Sequence, residues 1–208
     1  MFISAAGFKK LVKEAYRNGS LRLGNNGYGI LIAGSYWAMC VDEAELPKKA
    51  KAAIIELTGI IPEAGEMYHC TKEGNQMEMG GTIPDVLYMS RNAIEAEEEM
   101  EDTKVILCEY SKNRILQNTK TGKIVKIQDE CFRMIDKKLI KENESFPVGP
   151  NRGENGGIYW HNNCMAFLLM PVSTGDNMLE KSLERININE YRKTKISKTE
   201  DKEEAEEA

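Results

Sequence analysis

Apolar residues recur along the chain in two kinds of pattern, which predict short strands separated by amphipathic helices. Phe8, Leu11 and Ala15 follow one another at intervals of three and four residues, so they share one face of a helix. Ser4 can cap this helix because its hydroxyl can accept a hydrogen bond from a free backbone N–H, and Gly19 can end it. The first amphipathic helix is therefore predicted between Ser4 and Gly19.

Further helices are predicted downstream. The second begins at Pro47, which suits the first position of a helix, and ends at Gly59. The remaining helix predictions are Arg91–Glu101, a helix from Asp129 to Leu139, and a short helix over Met178–Ile188.

Runs of β-branched, aromatic and sulfur-containing residues predict the strands. Lys123–Gln128 alternates apolar and polar residues, as a half-buried strand does. A polar loop is predicted over Lys141–Gly156. The other predicted strands are Leu21–Leu23, Tyr28–Ala33, Tyr36–Val41, Glu66–Cys70, Gln76–Met79, Val86–Met89, Lys104–Tyr110, Arg114–Asn118, Ile158–Trp160 and Met165–Met170.

The order of these elements predicts an α+β fold of four successive β-α-β-β units, with antiparallel sheets and helices packed on one face. The units begin near Met1, Tyr36, Asp85 and Lys123. Two units form each domain, which gives a first domain over 1–82 and a second over 83–172. A charged, largely disordered tail is predicted over 173–208.

The distribution of charge adds a basic surface to this picture. The chain has 208 residues and a net charge of −5. Two acidic blocks hold the excess, with a net −6 in Glu95–Asp102 and −5 in Glu200–Ala208, so the remaining residues carry +6. A basic surface can therefore exist beside local acidity.

Several cations fall on the predicted outer faces of helices. Lys9, Lys13 and Arg17 are spaced by four residues. Arg133, Lys137 and Lys141 show the same spacing. Rows of this kind can bind the phosphates of nucleic acid without recognising base sequence. The alternative is an ordinary solvent-exposed helix face, which also carries lysines. The acidic third helix would repel phosphate if it faced the same way. The candidate nucleic-acid-binding residues are Lys9, Lys13, Arg17, Lys48, Lys51, Arg133, Lys137 and Lys141.

The arrangement resembles the DNA sliding clamps, the ring-shaped processivity factors of polymerases. The second unit carries the likeness in the strand YWAMCVD, the helix LPKKAKAAIIELTG and the segment IIPEAGEMYHCTKEGNQMEM, and the fourth unit is similar in order. The resemblance covers Met1–Val172 and implies a non-enzymatic protein that binds duplex DNA nonspecifically, forms a homo-oligomer and has a polymerase or other protein partner. It implies that the candidate cations other than Lys141 face the duplex.

Two alternatives remain open. The acidic segments could make the chain a protein-binding regulator or inhibitor. His69 and Cys70, together with His161 and Cys164, supply the residue types of a small zinc or thiol enzyme, but adjacent strand residues point to opposite faces. We therefore predict no catalytic residue, metal or cofactor.

The expected location is the cytoplasm. The five cysteines are widely spaced among apolar neighbours, which is typical of reduced, buried thiols. Lys9 and Lys10 lie within an amphipathic pattern rather than before a long apolar run, so a signal for export is not expected.

Overall fold

The structure is a computed structural model that describes residues 1–78, 86–108, 111–140, 142, 144–172 and 178–190. Its helices are α1 Ala5–Arg17, α2 Lys48–Thr58, α3 Val86–Glu95, α4 Asp129–Phe132 and α5 Met178–Glu184. The strands are β1 Leu21–Asn25, β2 Gly29–Ala33, β3 Trp37–Asp42, β4 Met67–Thr71, β5 Gly74–Met77, β6 Glu98–Glu99, β7 Glu101–Cys108, β8 Lys112–Gln117, β9 Ile124–Gln128, β10 Val148–Arg152, β11 Ile158–His161 and β12 Met165–Leu169.

Nine of these strands form one antiparallel sheet in the order β5-β4-β1-β2-β3-β12-β11-β10-β6. At its centre β3 pairs with β12, so that Met39 lies opposite Phe167. The strands β7, β8 and β9 form a second antiparallel sheet. This mixture of antiparallel sheets and packed helices confirms the predicted α+β class.

Strict alternation along the central strands divides the nine-stranded sheet into two faces. On β3, Trp37, Met39 and Val41 point into the main core, whereas Cys40 points into a smaller cluster on the other side. The main core contains the apolar faces of α1, α2 and α4, and the smaller cluster contains Met89, Ala93 and Ala96 in and just after α3. Helices therefore cover both faces of the sheet.

Local chemistry explains where α1 and α2 begin and end. The Ser4 hydroxyl accepts a hydrogen bond of 3.0 Å from the backbone N–H of Gly7, as predicted for the cap of α1. α2 starts just after Pro47 and ends at Gly59, whose φ of +75° lies in the left-handed region that glycine adopts without steric cost. Both helix predictions are confirmed.

The small sheet is covered on both faces. Leu116, Val125 and Ile127 pack into the main core. On the opposite face, the Gln117 side chain donates a hydrogen bond of 2.9 Å to the carbonyl of Ile186 and accepts one of 3.0 Å from the N–H of Ile188. The segment 178–190 is thereby fixed against β8.

Two predictions in the third unit were wrong. The apolar run Val86–Met89, predicted as a strand, is the first turn of α3. The helix predicted over Arg91–Glu101 ends at Glu95. Of the acids that follow, Glu97 lies in the connection to β6 and the others lie in β6 and β7. Met89 and Ala93 supply the apolar face that holds α3 on the sheet. Their spacing of four residues indicates this face only when the segment is interpreted as a helix.

Two predictions in the fourth unit also need correction. The helix expected from Asp129 to Leu139 has one turn, and Asp129 is its buried first residue rather than its cap. The polar loop predicted over Lys141–Gly156 contains β10, which pairs with β11 and β6. Pairing between distant segments, rather than local apolar pattern, makes this segment a strand.

The predicted domain division stays a prediction. Its boundary at 82 and 83 falls within 79–85, which lies outside the described residues, as does the predicted start of the third unit at Asp85. The pairing of β3 with β12 joins both predicted parts in one sheet. Residues 173–177 and 191–208 of the predicted tail are also outside the described part.

Candidate nucleic-acid interface

The exposed sides of α1 and α2 form a basic face, defined here by Lys9, Lys13, Arg17, Lys48 and Lys51. The two helices pack against each other on one side of the nine-stranded sheet. The opposite sides of both helices are buried, because Phe8, Leu11 and Ala15 of α1 and Ala50, Ala53 and Ile54 of α2 belong to the main core. All five cations are exposed except Lys51, which is half-buried.

Arg133 and Lys137 do not extend this face as a helical row. α4 ends at Phe132, and Lys137 lies in a separate 3-10 turn, so the spacing of four residues has no helix to support it. Arg133 Nε lies 2.7 Å from Asp129 Oδ2, and Lys137 Nζ donates to the carbonyl of Gly149 at 3.3 Å. Lys141 lies outside the described residues.

Carboxylates already contact part of the basic face. Lys9 Nζ donates a hydrogen bond of 2.7 Å to Glu56 Oε2, which joins α1 to α2. That hydrogen bond is the main reason the pKa of Glu56 lies below its usual range, and the charges of Lys9 and Lys13 lower it further. Within the described ranges, the structure records no ion pair for Lys13, Arg17 or Lys48.

A cleft of about 770 Å³ lies between α1, α4 and the start of β8. Lys10 and Lys112 line it together with Arg133, and Lys10 is paired with Glu130. Sequence reasoning missed Lys10 and Lys112 as candidates because neither falls in a basic row. They become neighbours only because β8 and α1 pack on the same core.

An ion cluster around Arg114 lies next to this cleft and shares Asp129 with its lining. The Arg114 guanidinium contacts Asp129 at 2.6 Å and Asp102 at 2.8 Å, and it lies 4.6 Å from the centre of the Phe132 ring. Burial by itself would raise the pKa of Asp102, but hydrogen bonds from Lys104 and Arg114 hold it below its usual value. The cluster ties β7, β8 and α4 together and has a structural role.

Acids from the end of α3, the segment after it and the residues after β10 surround a different site. Glu95, Glu97, Glu98 and Glu154 line a cleft of about 430 Å³ with Arg152. This acidic cleft lies beside α3, which packs on the face of the sheet opposite the basic face. The third helix therefore does not place its acids among the cations of α1 and α2.

The first histidine and cysteine pair does not form one site. His69 and Cys70 are consecutive in β4, and Cys70 points into the main core. His69 Nε2 is 2.8 Å from the carbonyl of Gly19, and burial raises the pKa of Cys70 to about 11.

The second pair, His161 and Cys164, lies at the turn between β11 and β12. Burial lowers the pKa of His161 and raises that of Cys164, so the thiol is protonated near neutral pH. The Cys164 thiol lies 3.3 Å from Asn162 Oδ1.

In the part of the chain that the structure covers, no three His, Cys, Asp or Glu side chains are grouped as a metal ion requires. Among the same residues, no helix is long and apolar enough to cross a membrane.

No protein-family model and no curated protein sequence matches the chain. Among solved structures, the chain is similar to the beta chain of DNA polymerase III from Streptococcus pneumoniae TIGR4, a sliding clamp, with 7% sequence identity and a TM-score of 0.33. The match covers 85% of this chain and 64% of the beta chain, so this chain spans only part of the other protein's length. The chain is thus only distantly similar to a sliding clamp, and this similarity says nothing about function.

Proposed function

We propose that the chain is a non-enzymatic protein that associates with duplex DNA through the basic face, without sequence preference. One observation carries the proposal. α1 and α2 lie side by side on one face of the sheet with cations outward, while Glu95, Glu97 and Glu98 lie by α3 on the other. A surface that is locally basic on an acidic chain suits a polyanion.

The physical basis of binding is the release of counterions from the phosphates. Lys13, Arg17, Lys48 and Lys51 are free of carboxylate contacts within the described residues. Four phosphate contacts predict that the logarithm of the association constant falls against the logarithm of salt concentration with a slope of about −3 to −4. The contacts are made by long side chains to the backbone, so base sequence has little effect.

Fluorescence anisotropy with a labelled duplex tests the proposal at several salt concentrations. The variant K13Q/R17Q removes two cations from the basic face, and K120Q/K123Q removes two exposed cations from the turn between β8 and β9. We expect K13Q/R17Q to bind about ten- to fiftyfold more weakly at low salt, with a slope smaller by about two. Equal binding by both variants, or no binding by the unaltered protein, would refute the proposal.

A homo-oligomer and a polymerase or other protein partner are further parts of this proposal. The edge strand β5 supports self-association, because all four of its residues are exposed and no strand among the described residues pairs with its outer side. Light scattering during size-exclusion chromatography tests it. A mass of two or more chains is expected, and a strictly monomeric mass over a wide concentration range argues against it.

The acidic cleft beside α3 favours a second candidate function, the binding of a basic protein segment. Of its four carboxylates, Glu95 is paired with Arg91 and Glu98 with Arg152. Among the described residues, no ion pair is recorded for Glu97 or Glu154, so these two carboxylates are open to a basic segment. A lysine-rich peptide should bind the unaltered protein and K13Q/R17Q equally but bind E97Q/E154Q more weakly. Equal binding to all three proteins excludes this cleft.

A further inference from the structure

Two of the cations on and beside the basic face are held by exposed carboxylates. Lys9 is bound by Glu56 across the junction of α1 and α2, and the two side chains are 48% and 61% exposed. Lys10 is bound by Glu130 of α4, and this pair is 58% and 53% exposed. A phosphate approaching from solvent can reach all four groups.

Glu56 occupies the position that a phosphate would take. Its carboxylate accepts the hydrogen bond of Lys9, and the charge of Lys13, one turn further along α1, also acts on it. A carboxylate and a phosphate oxygen compete for the same ammonium protons, and the two anions repel each other. Duplex DNA must therefore displace Glu56 from Lys9 or lose that contact.

We infer that Glu56 and Glu130 are internal competitors of phosphate, which limit the affinity of the basic face by holding Lys9 and Lys10. The inference rests on the proposed function. It adds which residues regulate the strength of DNA binding. Each carboxylate pairs with one lysine and places a negative charge where a phosphate would otherwise bind that lysine.

These two carboxylates differ from Asp129, which also contacts a cation of the predicted set. The side chain of Asp129 is 3% exposed and is bound by Arg114, so its removal would disturb the fold. Exposed pairs such as Lys9 with Glu56 contribute little to stability, because solvent screens both charges. Substitution of Glu56 and Glu130 by glutamine should thus change the surface charge and leave the fold intact.

The experiment measures duplex affinity by anisotropy for the unaltered protein, E56Q, E130Q and the double variant. E154Q is the matched control, because Glu154 is exposed in the acidic cleft by α3 and its substitution changes the charge by the same amount. We expect about two- to fivefold tighter binding for each single variant, about five- to twentyfold for the double variant, and a salt slope steeper by about one per lysine released.

A second arm separates release of Lys9 from a general gain of charge. If Glu56 acts by holding Lys9, then the gain from E56Q becomes much smaller in the background K9Q. A gain of the same size with and without Lys9 would overturn the inference.

The outcomes distinguish this inference from the proposed function. If the unaltered protein binds and E56Q and E130Q bind no tighter than E154Q, the inference is wrong and the proposed function stands. If only the double variant binds, the carboxylates suppress binding completely, so the inference holds and the proposed function of the unaltered protein fails. If no protein binds at low salt, both fail.

Discussion

The guanidinium of Arg114 lies 2.6 Å from Asp129 and 2.8 Å from Asp102, so that one cation on β8 contacts the buried acid of α4 and the half-buried acid of β7. The three side chains are separated by 12 and 15 positions in sequence. Their contact ties the small sheet to α4, whose Asp129 lines the cleft next to the basic face.

Replacing Arg114 by methionine should destabilise the protein strongly. R114M removes the common partner of Asp102 and Asp129, although Asp102 keeps Lys104 and Asp129 keeps Arg133. The lost contacts cost about 2–4 kcal/mol of unfolding free energy. Urea denaturation measures the change. R133Q is the control, because Arg133 contacts the same Asp129 but is 61% exposed, and its substitution should cost no more than about 1 kcal/mol. Similar losses for both variants would contradict this assignment.

The stability should fall in acid because of Asp102. Its pKa is lower in the folded chain than in the unfolded chain, so the unfolded form takes up the proton first as the pH falls. This contribution is complete above the ordinary pKa of about 3.9 and is lost as the pH falls through the lower folded value. Unfolding free energies measured from pH 6 downward should fall less steeply for D102N than for the unaltered protein. Parallel curves would assign the acid sensitivity to other groups.

Removing the Gln117 amide should release the C-terminal segment from the small sheet. Q117L deletes both hydrogen bonds to Ile186 and Ile188 and leaves the buried N–H of Ile188 without its partner, at a cost of about 1–3 kcal/mol. Hydrogen exchange followed by mass spectrometry should show faster exchange in 178–190 and little change in α1. Unchanged exchange in that segment would show that other contacts hold it.

The cysteines should differ sharply in reactivity towards a thiol reagent in the native protein. Cys108 is exposed, whereas the other four are buried, and burial raises the pKa of Cys40 and Cys131 to about 12. Because the thiolate is the reactive form, Cys108 should be labelled first at neutral pH. Peptide mapping identifies the site. Rapid labelling of Cys164 would instead revive the alternative of a thiol enzyme.

The sequence predicts those elements whose apolar pattern is local. α1, α2 and most strands follow from helical spacing, caps and alternation, because each segment carries its own signal. Val86–Met89 was misassigned because a short apolar run fits a strand or the start of a helix equally well. β10 was missed because Pro150 and its polar neighbours become a strand only through pairing with β11 and β6.

The candidate interface could be predicted only in part. The spacing of Lys9, Lys13 and Arg17 places them on one side of α1, and the structure shows all three exposed. The pairing of Lys9 with Glu56 could not be read from the sequence, because the two residues lie 47 positions apart and meet only where α1 packs on α2. The row predicted for Arg133 and Lys137 failed because α4 is too short to support it.

The central claim is that duplex DNA covers the outward sides of α1 and α2. Lysine acetylation at low salt, with and without an unlabelled duplex and with read-out by mass spectrometry, tests it most directly. We predict that DNA slows the modification of Lys13 and Lys48 and leaves the rates at Lys120 and Lys123 unchanged. Unchanged rates at Lys13 and Lys48 in the presence of bound DNA would contradict the claim.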